Sequence, residues 1–322
     1  MPSTITHDYH YKDIYNFTSK SFKNVYPQDF YNQHSVFSQG HDALFFSEFW
    51  NLYDFNKKRN KAIYLQDHLF QELCVNFAYL LKVHKLRDSK NLKLLLYGYI
   101  AHHILDSYVH PYIIYETEEN RMHELVETYF DKYMILQREK KDSYNYKVHK
   151  MIPKPPKLSG QEIELINEVF FKTYGFEKFG KTYIEALNQV NLFLRLFRYD
   201  PTGIKNLGYC LIDKINLTDL KFSFLSYNHD YRNFDQYLNE EHNLWFNPSE
   251  PNANITSINS FIELYELATK RSSKIISYLE EAINDNATNE EIEKIIPNVS
   301  AIHGLECDLD LPFKTLKKIK FQ

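Results

Sequence analysis

The chain has 322 residues, 43% hydrophobic and 16% aromatic, which supplies ample material for a buried core. Eight glycines and 11 prolines are too few for a turn-rich β architecture. Lysine plus arginine (38) nearly balance aspartate plus glutamate (42), so there is no basic surplus of the kind that binds a nucleic-acid backbone or an anionic membrane. The first residues, Met1-Pro2-Ser3-Thr4-Ile5-Thr6-His7-Asp8, lack the basic and apolar regions of a cleaved secretory signal, which predicts a cytoplasmic protein. Cys74, Cys210 and Cys307 are odd in number, far apart and outside any CxxC pair, as expected of reduced thiols.

The predicted elements are all helical. Residues 7 to 25 read as a first helix, and 27 to 42, with Pro27 and Gly40, as an ordered loop. Asp42 stands in N-cap position ahead of apolar residues at helical spacing, which predicts a helix from there to about Asn56. Helices follow at 61 to 85, from 92 to Pro111 or a little beyond, and at 118 to 140. Residues 141 to 160, with Ile152-Pro-Lys-Pro-Pro156, form a linker-like loop between a core of residues 1 to 140 and a helical C-terminal part, 161 to 322, packed on the same domain. Beyond it, helical periods recur at 161 to 174, 180 to 198, 202 to 215 and 256 to 285, with an aromatic-rich irregular segment at 228 to 254. The tail from Asn286 is acidic, then basic, and predicts one more short helix.

The most apolar stretch, Leu92 to Ile114, carries His102, His103, Asp106 and His110. These make it an expensive membrane span, so it reads as a buried helix with polar function. His102, Asp106 and His110 are spaced four and four apart and share one helix face, surrounded by Leu94, Leu95, Ile100, Ile104, Leu105 and Val109. Buried imidazoles and carboxylates need partners, and a metal ion supplies them. His123 and Glu127, again four apart, place a second such pair on the following helix. The plain alternative for this spacing is helix-surface ion pairs, against which the apolar surroundings of the first set argue. His103 lies about 100° off the chosen face and is expected to support the site or face substrate.

Ahead of these come Thr6-His7, Gly40-His41-Asp42 and Gln66-Asp67-His68. In this set and order the sequence resembles the bacterial zinc-dependent phospholipase C family, best over the first 130 residues. The segments Tyr237 to Pro248 and Ser260 to Ala268 also resemble the later half of intracellular, uncharacterised members. The resemblance implies a compact, all-α, phospholipase C/nuclease-like fold with a buried site for two or three Zn²⁺. It implies one ion on Asp42, His68, His102 and Asp106, another on His110, His123 and Glu127, and a third involving His7 and the shared Asp106. Secreted members give the third ion a terminal tryptophan, where Met1-Pro2 stand here, and their gap corresponding to Asp106–His110 is longer.

The function so implied is hydrolysis of a phosphodiester, phospholipid or soluble, by metal-activated water that Asp42 orients, with His41 and His103 in supporting or substrate-facing places. Two alternatives stand beside it. The adjacent His41-Asp42 pair suggests a histidine-aspartate type nucleotide phosphohydrolase, in which His41 itself binds metal, and a non-enzymatic reading has metals stapling a helical binding module. The lack of a basic stripe argues against a related nuclease, and no nucleic-acid partner or transmembrane segment is expected.

Overall fold

The computed structural model describes residues 4–47, 52–117, 122–140, 147–215, 221–228, 234–250 and 255–309. The predicted helix start at 118 to 121, residues 141 to 146 of the linker-like stretch, Met1-Pro2 and the basic tail lie outside these residues.

The described residues are mostly helical. The helices are α1 Thr4–Phe17, α2 Lys20–Val25, α3 Gln28–Asn32, α4 Leu52–Asp67, α5 Phe70–Val83, α6 Lys90–Thr117 and α7 His123–Glu139, followed by α8 Gly160–Tyr174, α9 Phe179–Phe197, α10 Ile204–Ile215, α11 Phe261–Asn284 and α12 Asn289–Glu293. A tight 3-10 segment runs from Ser35 to Phe46, and the irregular region near 250 holds a two-residue antiparallel pair, β1 Trp245–Phe246 with β2 Thr256–Ser257. Helices α8, α11 and α12 each begin with a reciprocal cap: Ser159 with Glu162, Ser260 with Glu263, and Thr288 with Glu291.

Several boundaries differ from the sequence expectation. The helix expected over 7 to 25 is two, α1 and α2, with the Ser19 side chain capping the second, and the loop expected over 27 to 42 contains α3 and the start of the 3-10 segment. Asp42 does not open a helix. It lies inside the buried 3-10 segment, which kinks at Gly40 (φ +48°), and the next helix starts only at Leu52. A Cβ at Gly40 would stand 2.5 Å from the His102 ring, so glycine is what lets this segment lie against α6. The helix expected over 61 to 85 is two helices, because Leu69 adopts a left-handed conformation (φ +53°) between α4 and α5. Helix α6 runs through Pro111 and on to Thr117. Proline cannot bond the Ser107 carbonyl four residues back, and that carbonyl is covered by the chain at Gly304 (φ +65°), where a Cβ would approach it to 2.3 Å.

The buried apolar side chains form one cluster that spans Ile5 to Cys307. Helix α6 runs through its centre, packed against α11, α1 and the Ser35–Phe46 segment, while α8 and α9 extend the core over α5 and that same segment. Among the described residues no helix is long and apolar enough to cross a membrane.

Candidate metal centre

Helix α6 presents His102, Asp106 and His110 on one buried face, as their spacing requires. Backbone carbonyls fix the two imidazoles. His102 Nδ1 lies 2.9 Å from the Ser38 carbonyl and His110 Nδ1 lies 2.8 Å from that of Ala301. A carbonyl only accepts, so each ring carries a proton on Nδ1 and, when neutral, turns an Nε2 lone pair into the site.

Around this face two groups assemble. Helix α1 brings His7, whose Nε2 is 3.1 Å from Asp106 Oδ1 and whose ring stacks on His102 at 4.0 Å. The Ser35–Phe46 segment brings Asp42, with Oδ2 3.6 Å from His102 Nε2 and Oδ1 receiving a hydrogen bond from Gln66 at 3.2 Å. Helix α7 brings His123 and Glu127; Glu127 Oε1 lies 3.2 Å from His123 Nε2 and 3.1 Å from His110 Nε2. Ligand-type atoms of His7, Asp42, His102 and Asp106 lie within 4.8 Å of one another, as do those of His110, His123 and Glu127. Asp106 joins the groups, with Oδ2 3.1 Å from His102 Nε2 and Oδ1 3.8 Å from His110 Nε2.

The deep group is closed, every member being at most 4% exposed. The second group opens to solvent at His123, whose side chain is 28% exposed. Burial opposes charge on His110, yet Asp106 and Glu127 push its pKa up to about 9. Burial likewise disfavours ionised Asp106, but His110, His102 and His7 hold its carboxyl well below the ordinary range. Against burial, Asp106 and Asp42 raise His102, whereas burial and neighbouring His102 lower His7. Burial raises the Asp42 carboxyl.

These directions bear on whether the residues fit a cation. With its proton on Nδ1, neutral His102 aims a lone pair at the Asp106 oxygen and at His41 Nε2, 3.2 Å away. Facing lone pairs repel, and either a proton or a metal ion among them removes the repulsion. Imidazole nitrogens whose other N–H is bound to carbonyls, joined with carboxylates and no cysteine, match the ligand chemistry of zinc and similar divalent ions.

The structure does not bring His68 to this centre. Its Nδ1 meets the Tyr64 carbonyl at 3.0 Å, its Nε2 faces Asp308 at 3.7 Å, and the side chain is one-third exposed. The break at Leu69 that ends α4 leaves it on the outside. His41 instead points inward: Nε2 lies 3.6 Å from Asp42 Oδ1 and 3.8 Å from Asp106 Oδ2, in a fully buried ring. His103 stacks on Phe70 at 3.7 Å and donates from Nε2 to the Val299 carbonyl at 2.6 Å, so it ties the C-terminal loop to α6. Tyr9, Phe45, Phe46 and Phe70 are core residues.

Two contributors escaped the sequence reading. Asp131, on α7, receives the backbone N–H groups of Ile5 (3.1 Å) and Thr6 (2.7 Å) and the hydroxyls of Thr6 and Tyr227, capping the start of α1 and thereby placing His7. Its signal was present, since it continues the four-residue step of His123 and Glu127. The loop at 299 to 308, which orients His103 and His110 through its carbonyls, carried no signal, because any residue type offers a carbonyl. Comparisons with family models, curated proteins and solved structures return no match to this chain.

Proposed function

We propose that this chain is a metal-dependent phosphoric ester hydrolase that holds two zinc ions, one in each group, and cleaves a phosphodiester. The observation that supports this reading is Asp106, a buried carboxylate set between a closed ligand group and one that opens to solvent at His123. A closed group alone fits a structural staple; an adjoining group with an accessible side fits a site where substrate and water enter. When bound there, divalent ions would polarise phosphoryl oxygens and lower the pKa of a water towards about 7.

The residues supply the remainder. His123, at the opening, is the first group a phosphoester meets, with His110 buried behind it. Asp42, held by Gln66 and raised by burial, sits in the closed group, where it would hold the deep ion and could orient only a water that reaches that ion. The Ser38 and Ala301 carbonyls keep His102 and His110 in the tautomer a ligand needs.

The test is metal content by plasma mass spectrometry on chelator-free protein, together with hydrolysis of bis(p-nitrophenyl) phosphate, for wild type and the His102→Ala/His123→Ala double variant. Two zinc per wild-type chain, lost with hydrolysis in the variant, supports the proposal. Stoichiometric metal with no turnover of any phosphoester favours the staple, and absence of metal from both proteins sinks the idea. The inward His41 favours a second reading, the histidine-aspartate type nucleotide phosphohydrolase. In that case His41→Ala removes the deep metal and nucleotide hydrolysis together, whereas the first reading keeps phosphodiester turnover.

A further inference from the structure

Helix α10 is assembled back to front. Ile204, Leu207, Leu211, Ile212 and Ile215 fall within an arc of about 140° at 100° per residue. An amphipathic helix ordinarily buries such a face, yet these five side chains are 71, 63, 53, 39 and 65% exposed, and no residue of the helix is buried. Its polar side docks instead. Asp213 receives the backbone N–H groups of Phe222 (2.7 Å) and Ser223 (2.9 Å), and the Tyr209 hydroxyl donates to the Leu196 carbonyl at 2.8 Å, with its ring 4.8 Å from Phe197. These bonds fix which way the helix faces, so the apolar ridge is held outward.

Charge surrounds the ridge. On one side of the apolar arc Lys214 is exposed; on the other Lys205 turns its ammonium back to the Leu196 carbonyl at 3.5 Å. Just before α10 in the chain, Arg195 and Arg198 stand at the end of α9, which packs against the short helical turn Val148–Lys150. Arg198, Lys150, Arg195 and Lys147 all act on His149, adding to the effect of burial in lowering its pKa, and so form one cluster. All four are exposed, and among the described residues none forms an ion pair. The near-zero net charge of the chain therefore conceals a local basic surface beside an exposed apolar one.

We propose that α10 and the Lys147, Lys150, Arg195, Arg198 cluster form a docking surface for an anionic phospholipid bilayer, with α10 lying in the interface plane. A single helical ridge with Lys214 at its edge and an exposed basic cluster at the end of α9 suits a fluid apolar layer under negative headgroups, which needs no matching pocket. A two-fold pairing of this face with itself would bring like charges together. The proposal is independent of turnover and stands or falls apart from the hydrolase reading.

The experiment is co-sedimentation of the full chain with vesicles of phosphatidylcholine containing phosphatidylglycerol, and with phosphatidylcholine alone. Wild type should bind the mixed vesicles, and Leu207→Glu/Leu211→Glu should weaken that binding about tenfold or more. Arg195→Ser/Arg198→Ser should weaken it by a similar factor, with salt doing the same to wild type. Both pairs are at exposed positions, and unchanged thermal melting checks that they fold. Failure of wild type to bind, or binding that neither variant alters, overturns the proposal. So does sedimentation equilibrium showing a dimer that Leu207→Glu/Leu211→Glu dissolves, since the occupant is then a second copy.

Discussion

The two ligand groups on α6 share a carboxylate but differ in what surrounds them. His7, Asp42, His102 and Asp106 are drawn from α1, the kinked 35–46 segment and α6, and the core closes over them. His110, His123 and Glu127 come from α6 and α7, with the Ala301 carbonyl behind and solvent at His123. The first arrangement would make a bound cation part of the core, and the second would leave one reachable. Removing their common member tests the comparison most severely. Asp106→Ala leaves facing imidazoles with no carboxylate between them, and we expect loss of metal from both groups and about 3 to 5 kcal/mol of stability, read by denaturant unfolding. Retention of metal at His110, His123 and Glu127 would show that the groups are independent.

Acidity separates the groups next. In chelated protein the His110 pKa lies near 9, above its unfolded value of about 6.5. A raised folded-state pKa stabilises fully below the unfolded value and is lost as pH climbs through the folded one. The metal-free protein should therefore lose stability between pH about 6.5 and about 9, by up to about 3 kcal/mol from this group, and His102, also raised, adds in the same direction. Metal competes with those protons, so zinc-loaded protein should not show the decline. Thermal melts with and without chelator across that range measure the difference. A metal-free protein whose stability is flat with pH would mean that His110 is not charged.

The deep group depends further on how α1 is anchored. Asp131→Ala leaves four donors without their acceptor and should cost about 2 kcal/mol. Because the damage falls on the helix that carries His7, metal analysis should show weakened binding in the deep group and none in the outer one. Equal weakening in both would trace the effect to a general loosening of α7.

Parts of this arrangement were legible in the sequence because a helix repeats. His102, Asp106 and His110 are four apart, as are His123 and Glu127, and that step alone predicts a shared face within each set whatever the rest of the fold does. Asp131 extends the same step and was overlooked because a third carboxylate at that spacing has many ordinary uses. The kink at Gly40 and the break at Leu69 were illegible, since each is decided by what packs nearby: the His102 ring in one case, the turn between α4 and α5 in the other. Likewise, the carbonyl that sets the His110 tautomer lies 191 residues away in an irregular loop. The apolar period of α10 was visible from the start, but only its docked polar side reveals that it faces outward.

The smallest expected effect sharpens the comparison at its edge. His68 follows α4 and faces Asp308 across 3.7 Å, partly exposed, whereas His41 holds the inward place beside Asp42 and Asp106. An exposed pair of this kind contributes under about 1 kcal/mol. His68→Ala should therefore leave metal content within about twofold of wild type and the melting temperature nearly unchanged. Mass spectrometry of His41→Ala and His68→Ala, purified side by side, makes the test internal. Loss of the deep ion in His68→Ala alone would mean that the residue turns inward when metal binds, carrying the 299–308 loop with it. That movement would in turn shift the Ala301 carbonyl away from His110, so the outer group would weaken as well, and the two groups would differ less than their burial suggests.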